Sequence, residues 1–220
     1  MIYRLAKIEQ AQADLSDRLK QELSSGKNVL WLVSGGSNIL PTVDILNSLS
    51  ESETENLSIM LIHERYGEPG HPDSNWQQFM HAGLNPKNTN LIPVLLSHSS
   101  FEETARHYNN TTAEAFAEND VLIAQLGMGS DGHIAGILPH SIASQTTQLV
   151  VGYEQTPYKR LTLTLSALEM MDAIYVLAYG KHKREAIVKL RDIGLAAEDQ
   201  PVQFLKKLPE VYFYNDQVGE

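Results

Sequence analysis

Short, nearly continuous apolar runs alternate along this chain with longer stretches whose apolar residues recur every three or four positions. Residues 8–25 (IEQAQADLSDRLKQELSS) show that helical spacing, and Gly26 stops it. NVLWLV, residues 28–33, has the composition of a buried strand, and residues 39–49 then read as a helix. LSIMLI (57–62) is a second buried strand. Residues 101–118 form a crossover helix into a third strand at 121–126. Further on, 149–151 is a short strand, LTLTL (161–165) alternates as a half-buried strand should, and AIYVLA (173–178) is buried again. A short helix at 201–207 and a last strand, VYFY (211–214), close the chain. Strands interleaved with helices predict an α/β fold with a mostly parallel sheet, one domain over residues 1–220.

Composition narrows the function classes. A chain of 220 residues with 42% hydrophobic and 20% charged content is ordinary for a soluble globular protein. No apolar run is long enough to span a membrane, and the first ten residues lack a secretory apolar segment. Zero cysteines exclude disulfides and thiol chemistry, and point to a cytoplasmic home. The formal charge of -10 argues against nucleic acid or an anionic membrane as partner. An anionic small substrate would therefore need a locally positive pocket.

Candidate chemistry gathers after the strands. Gly127-Met128-Gly129-Ser130-Asp131-Gly132-His133 is a glycine-rich loop carrying one carboxylate and one imidazole, a pairing that suits a general base and the group orienting it. Its glycines match G-x-G-x-x-G formally. A dinucleotide loop, however, needs a long helix and then an acidic residue, whereas Pro139 arrives early and residues 142–160 supply no acid at a strand end. Ser34-Gly35-Gly36-Ser37, between strand and helix, is the arrangement in which backbone N–H groups and a helix N-terminus hold phosphate. His63-Glu64-Arg65-Tyr66 places charge at another strand end, and Asp73-Ser74-Asn75 supplies helix caps. Lys181, His182, Lys183 and Arg184 set cations where a helix dipole prefers anions, which a bound phosphate would compensate. His71, His81, His98 and His107 have no ligand-like spacing and read as solvated.

Taken together, the segments VSGGSNILP, HERYGEPGHPDSNWQQF, LGMGSDGHIAGILP, PYKRLTLTLSAL and YGKHKREAI resemble the 6-phosphogluconolactonases of the glucosamine-6-phosphate isomerase/lactonase superfamily, in order from about Gly26 onward. The resemblance implies a Rossmann-like sheet, no metal and no cofactor, a sugar-phosphate substrate, a monomer or homodimer, and hydrolysis of a sugar-phosphate lactone in the pentose phosphate pathway. It implies His133 as general base, Asp131 as its orienting acid and Arg65 as an assisting cation. Ser34, Gly35, Gly36 and Ser37 match the phosphate loop, and Arg160 and Lys183 match cationic phosphate contacts. The chain departs from the family pattern at His63, where the motif D-E-R has aspartate, and in reading AGILP for ASLFP. His63 changes a charge beside Arg65: a neutral imidazole there would accept from the guanidinium and would titrate at pH ~6–7 as an ordinary histidine does, Arg65 favouring its neutral form and a bound phosphate its charged one. The related amino-sugar deaminases share D-G-H-I-A but place a glutamate five residues past the histidine; Leu138 stands there in this chain. A catalytically silent sugar-phosphate binder is the remaining alternative.

Overall fold

The computed structural model describes residues 1–219. Ten strands and six α-helices follow in the order β1 (Ile2–Leu5), α1 (Ile8–Ser24), β2 (Val29–Val33), α2 (Ile39–Ser48), β3 (Leu57–Leu61), β4 (His63–Arg65), α3 (Asn75–His81), β5 (Asn90–Ile92), α4 (Phe101–Glu118), β6 (Val121–Gly127), β7 (Val150–Gln155), β8 (Tyr158–Leu163), α5 (Leu165–Leu168), β9 (Ala173–Ala178), α6 (Arg184–Asp192) and β10 (Val211–Asn215). Seven strands form a wholly parallel sheet in the order β1-β10-β9-β6-β2-β3-β5. Its interior strands β2 and β9 are buried at every position, which is why they read as continuous apolar runs rather than alternating ones. α1 covers the sheet with Ala11, Leu15, Leu19 and Leu23, one residue per turn. α4 begins at a capping box made by Ser100 and Glu103.

The strand order sets the position of the site. From β2 the chain steps outward to β3 and β5, then returns to place β6 on the other side of β2. The loops after β2 and β6 therefore diverge from neighbouring strands, and the crevice between them is where open α/β sheets take ligands.

β4, β8 and β7 form a separate three-stranded antiparallel sheet, which sequence patterning did not separate from the first. Two backbone hydrogen bonds fasten it to the large sheet: Ile62 N donates to Val33 O (2.9 Å) and Leu163 N to Ile62 O (2.8 Å). The alternating strand expected at 161–165 is β8, displaced to 158–163, because Thr164 instead caps α5 by accepting from Ala167 N. The strand at 149–151 extends as β7 to Gln155, and the closing helix at 201–207 is of the 3-10 type. β1 and β5 are sheet-edge strands whose residues are exposed or half-buried, so neither carries the apolar run that marks their neighbours. Among the described residues no helix is long and apolar enough to cross a membrane.

Candidate active site

The loop after β6 folds back on itself instead of entering a helix. Met128 bridges Ile134, Gly129 N donates to His133 O (2.8 Å), and Gly132 turns the chain at φ +84°. This closes the dinucleotide reading. The turn sets His133 Nδ1 2.7 Å from Asp131 Oδ1, which also accepts from His133 N at 3.1 Å. The hydrogen bond from the His133 side chain lowers the Asp131 carboxyl to about 2. An ionised carboxylate only accepts, so Nδ1 carries the ring proton and Nε2 keeps its lone pair. Gly129 makes room for this pair: a Cβ there would lie 2.1 Å from His133 Nδ1 and 2.6 Å from Asp131 Oδ1.

β4 presents His63 and Arg65 on one side and Glu64 on the other, as strand alternation requires. Glu64 is buried and accepts from Arg65 N (2.7 Å), Ser74 Oγ (2.8 Å), Asn75 N (2.7 Å) and Trp76 N (3.2 Å). The start of α3 is thereby fixed to β4. Ser74 is the N-cap of α3, accepting from Gln77 N, and Arg65 Nη1 donates to Asp73 O at 2.6 Å. Arg65 and Arg160 are register partners across β4 and β8, and both guanidiniums lie over the Tyr158 ring, at 4.9 and 5.9 Å. Arg160 Nε is buried without a partner. Like charges placed opposite each other on adjacent strands repel. An anion between them would relieve that.

The sequence led us to expect a contact between His63 and Arg65, with His63 titrating near neutral pH. The structure corrects both points. His63 is bonded by Asn75, whose Nδ2 lies 3.2 Å from the ring Nδ1 and donates to the His63 carbonyl at 2.8 Å. Burial, reinforced by the His133 ring when protonated and by the guanidiniums of Arg160 and Arg65, lowers its pKa to about 3. His71 is likewise not simply solvated: its Nε2 bonds Arg65 O at 3.0 Å, while His81 and His98 are exposed and His107 is half-buried.

After β2, a 3-10 turn (Gly36–Asn38) leads into α2, and Ser34 Oγ is buried without a partner. Gly35 cannot carry a side chain, because a Cβ would meet Asn75 Oδ1 at 2.3 Å. The Ser34–Ser37 loop, His63, Arg65, His133 and Arg160 line one cleft of about 260 Å³. Asp131 stands behind His133. Lys183 does not reach the cleft lining; it is buried at the start of α6, where burial lowers its pKa against the opposing effect of Asp216. Lys181, His182 and Arg184 are exposed. Sequence reading missed the parts of Glu64 and Asn75. Both lay inside noted motifs, but strand alternation gives only the buried direction of Glu64, and the pairing of Asn75 with His63 is purely tertiary.

Fold and cleft together define an α/β protein with a cationic pocket and a histidine–aspartate pair at the carboxyl ends of its strands. Residues 5–213 match the family described as glucosamine-6-phosphate isomerases/6-phosphogluconolactonase, and the chain belongs to that family. It is 24% identical to a 6-phosphogluconolactonase of Synechocystis, covering 97% of this chain and 92% of that one. It is 26% identical to a glucosamine-6-phosphate deaminase of Lactococcus lactis, covering 92% and 90%. The crystal structure of a 6-phosphogluconolactonase from Shewanella baltica superposes with a TM-score of 0.81 at 22% identity, covering 98% of this chain and 97% of that one.

Proposed function

We propose that the chain hydrolyses 6-phosphogluconolactone to 6-phosphogluconate, with His133 as general base, Asp131 orienting it and Arg65 assisting. The observation that carries this reading is the meeting in one cleft of two guanidiniums on paired strands, the glycine-rich Ser34–Ser37 loop and the His133 imidazole held by Asp131 through Nδ1. A lactone is an activated ester, so a positioned base and donors for the developing oxyanion suffice without a protein nucleophile. His133 Nε2 takes a proton from water as the oxygen adds to the carbonyl carbon. The same proton then goes to the ring oxygen as the C–O bond breaks. Amino-sugar isomerisation suits the cleft less well, because Leu138 stands where the deaminase pattern has glutamate and His63 stands where the D-E-R motif has aspartate, so two acids are missing. Acid release on adding 6-phosphogluconolactone, corrected for spontaneous hydrolysis, tests the reading directly; ammonia release from glucosamine-6-phosphate without lactone turnover would replace it with the deaminase.

The phosphate is assigned to Arg160 and the Ser34–Ser37 loop. Arg160→Ala should raise KM ~10–100-fold with little change in kcat, the loss of one charged hydrogen bond made in ground and transition states alike. Lys183→Ala should raise KM less, since its ammonium lies off the cleft lining. Equal discrimination between phosphorylated and unphosphorylated lactone by Arg160→Ala and wild type would remove Arg160 from the phosphate site.

A further inference from the structure

Two imidazoles face this cleft, and their surroundings give them opposite polarity. The Asn75 amide is oriented by the carbonyl of His63: only Nδ2 can donate to that oxygen at 2.8 Å, and a reversed amide would set two acceptors together. With Nδ2 so placed, the ring Nδ1 of His63, 3.2 Å away, must accept. The ring proton therefore resides on Nε2. At His133 the proton sits on Nδ1, against Asp131, and Nε2 is the acceptor. One ring thus offers the cleft a lone pair and the other offers it an N–H.

The stem of His63 is also closely packed. A Cβ on Gly136 would lie 3.1 Å from His63 Cβ and 2.9 Å from Thr162 Cβ, so the loop backbone packs directly against the ring's base. Gly136 N donates to Thr162 Oγ1 (3.0 Å), and Thr162 is the register partner of His63 on β8. Preorganised donors of this kind stabilise charge as it develops, without reorganisation cost at the moment of reaction.

We propose, building on the lactonase reading, that His63 is a catalytic residue of this cleft: its Nε2–H donates to the lactone carbonyl oxygen and stabilises the oxyanion formed when His133 delivers water. The electron pair of the carbonyl moves onto that oxygen as the new C–O bond forms, and returns as the ring C–O bond breaks, so His63 neither gains nor loses a proton. Burial among cations keeps the imidazole neutral and hence able to hold this polarity across ordinary pH. The same arrangement denies the cleft a base at this position, since Nε2 has no lone pair to offer while Nδ1 is bound by Asn75. Asn75 is the positioning residue.

The test has two arms. In the first, lactone turnover is measured for wild type, His63→Ala, His63→Gln and Asn75→Asp, corrected for spontaneous hydrolysis. His63→Ala should lose ~10²–10³-fold in kcat with KM nearly unchanged, the worth of one oxyanion donor. His63→Gln, which keeps an N–H, should recover at least part of this, and Asn75→Asp, which reverses the polarity of the contact, should lose it again. A His63→Ala enzyme within threefold of wild-type kcat overturns the proposal. In the second arm, ¹⁵N-histidine spectra report the tautomer without any turnover, the His63 signals being assigned by their absence in His63→Gln. Protonated Nε2 and bare Nδ1 from pH 5.5 to 8, with the Nε2 resonance moving on addition of 6-phosphogluconate, is the expected result. Protonated Nδ1, or a resonance indifferent to 6-phosphogluconate, overturns the donor assignment. Absent turnover by wild type sinks the lactonase reading alone, and the spectra then decide the donor assignment.

Discussion

His133→Gln should bind substrate with a KM close to that of wild type and lose ~10²–10⁴-fold in turnover, the usual contribution of a positioned base. Glutamine keeps the volume and a polar end but has no nitrogen lone pair to take a proton from water. The loop should survive the change, because its fold rests on backbone bonds: Gly129 N to His133 O, Gly132 N to Gly129 O, and Val202 N to Gly132 O. Asp131→Asn should cost less than His133→Gln, since the base remains and only its preferred tautomer is lost. Neither Asp131 nor His63 should contribute a limb to the pH profile between 5.5 and 8. Asp131, lowered to about 2, is anionic throughout that range, and His63, lowered to about 3, is neutral throughout it. The measurement is kcat and KM for each variant with the spontaneous rate subtracted. A His133→Gln enzyme keeping more than half of wild-type turnover would take His133 out of the mechanism. A titration lost in His63→Asp but present in wild type would show that His63 ionises after all.

Legibility in the sequence divided along local and tertiary lines. β2, β6 and β9 could be read because strands buried on both faces are almost wholly apolar, the buried Gln125 of β6 accepting from Thr42 Oγ1, and α1, α2 and α4 could be read from one apolar stripe each. β1 and β5 could not, because an edge strand needs only backbone partners on one side. The same holds within the site. The nearness of Asp131 to His133 follows from a turn of three residues, and Ser34–Ser37 from a strand-to-helix junction, both local. The facing of Arg65 and Arg160 depends on β4 pairing with β8 some 95 residues later, which no spacing rule encodes. The expectation for His63 went astray for the same reason. Two residues away in sequence, Arg65 was the visible partner, but the partner that matters is Asn75, brought back across β4 by the loop that starts α3.

Glu64→Ala should lower stability by about 2–4 kcal/mol, because three backbone N–H donors lose their acceptor at about 1–3 kcal/mol each, the Ser74 hydroxyl being free to turn, while partial water entry recovers much of the loss. In a domain of this size that corresponds to a fall in Tm of ~5–15 °C. Among the described residues no cation pairs with this carboxylate, and its donors are all neutral. Its Oε1 takes Arg65 N and Asn75 N, and its Oε2 takes Ser74 Oγ and Trp76 N. Glu64→Gln should fall between wild type and Ala: its carbonyl can replace Oε1, Ser74 can turn its hydroxyl to accept from the new amide, and only Trp76 N–H then meets a donor. The consequence for activity comes through position. Asp73 O holds the Arg65 guanidinium and Asn75 orients His63, and both lie on the segment that Glu64 fastens to β4. At temperatures where Glu64→Ala is still folded, KM and kcat should therefore both worsen, unlike the separate effects expected at Arg160 and His133. Thermal melts of the three proteins, followed by kinetics well below the lowest midpoint, check both parts. Should Glu64→Ala melt within 2 °C of wild type, the four hydrogen bonds are replaceable by water and the anchor lies elsewhere. Lowered stability with unchanged kinetics would instead show that β8 alone holds Arg65 and His63 in place.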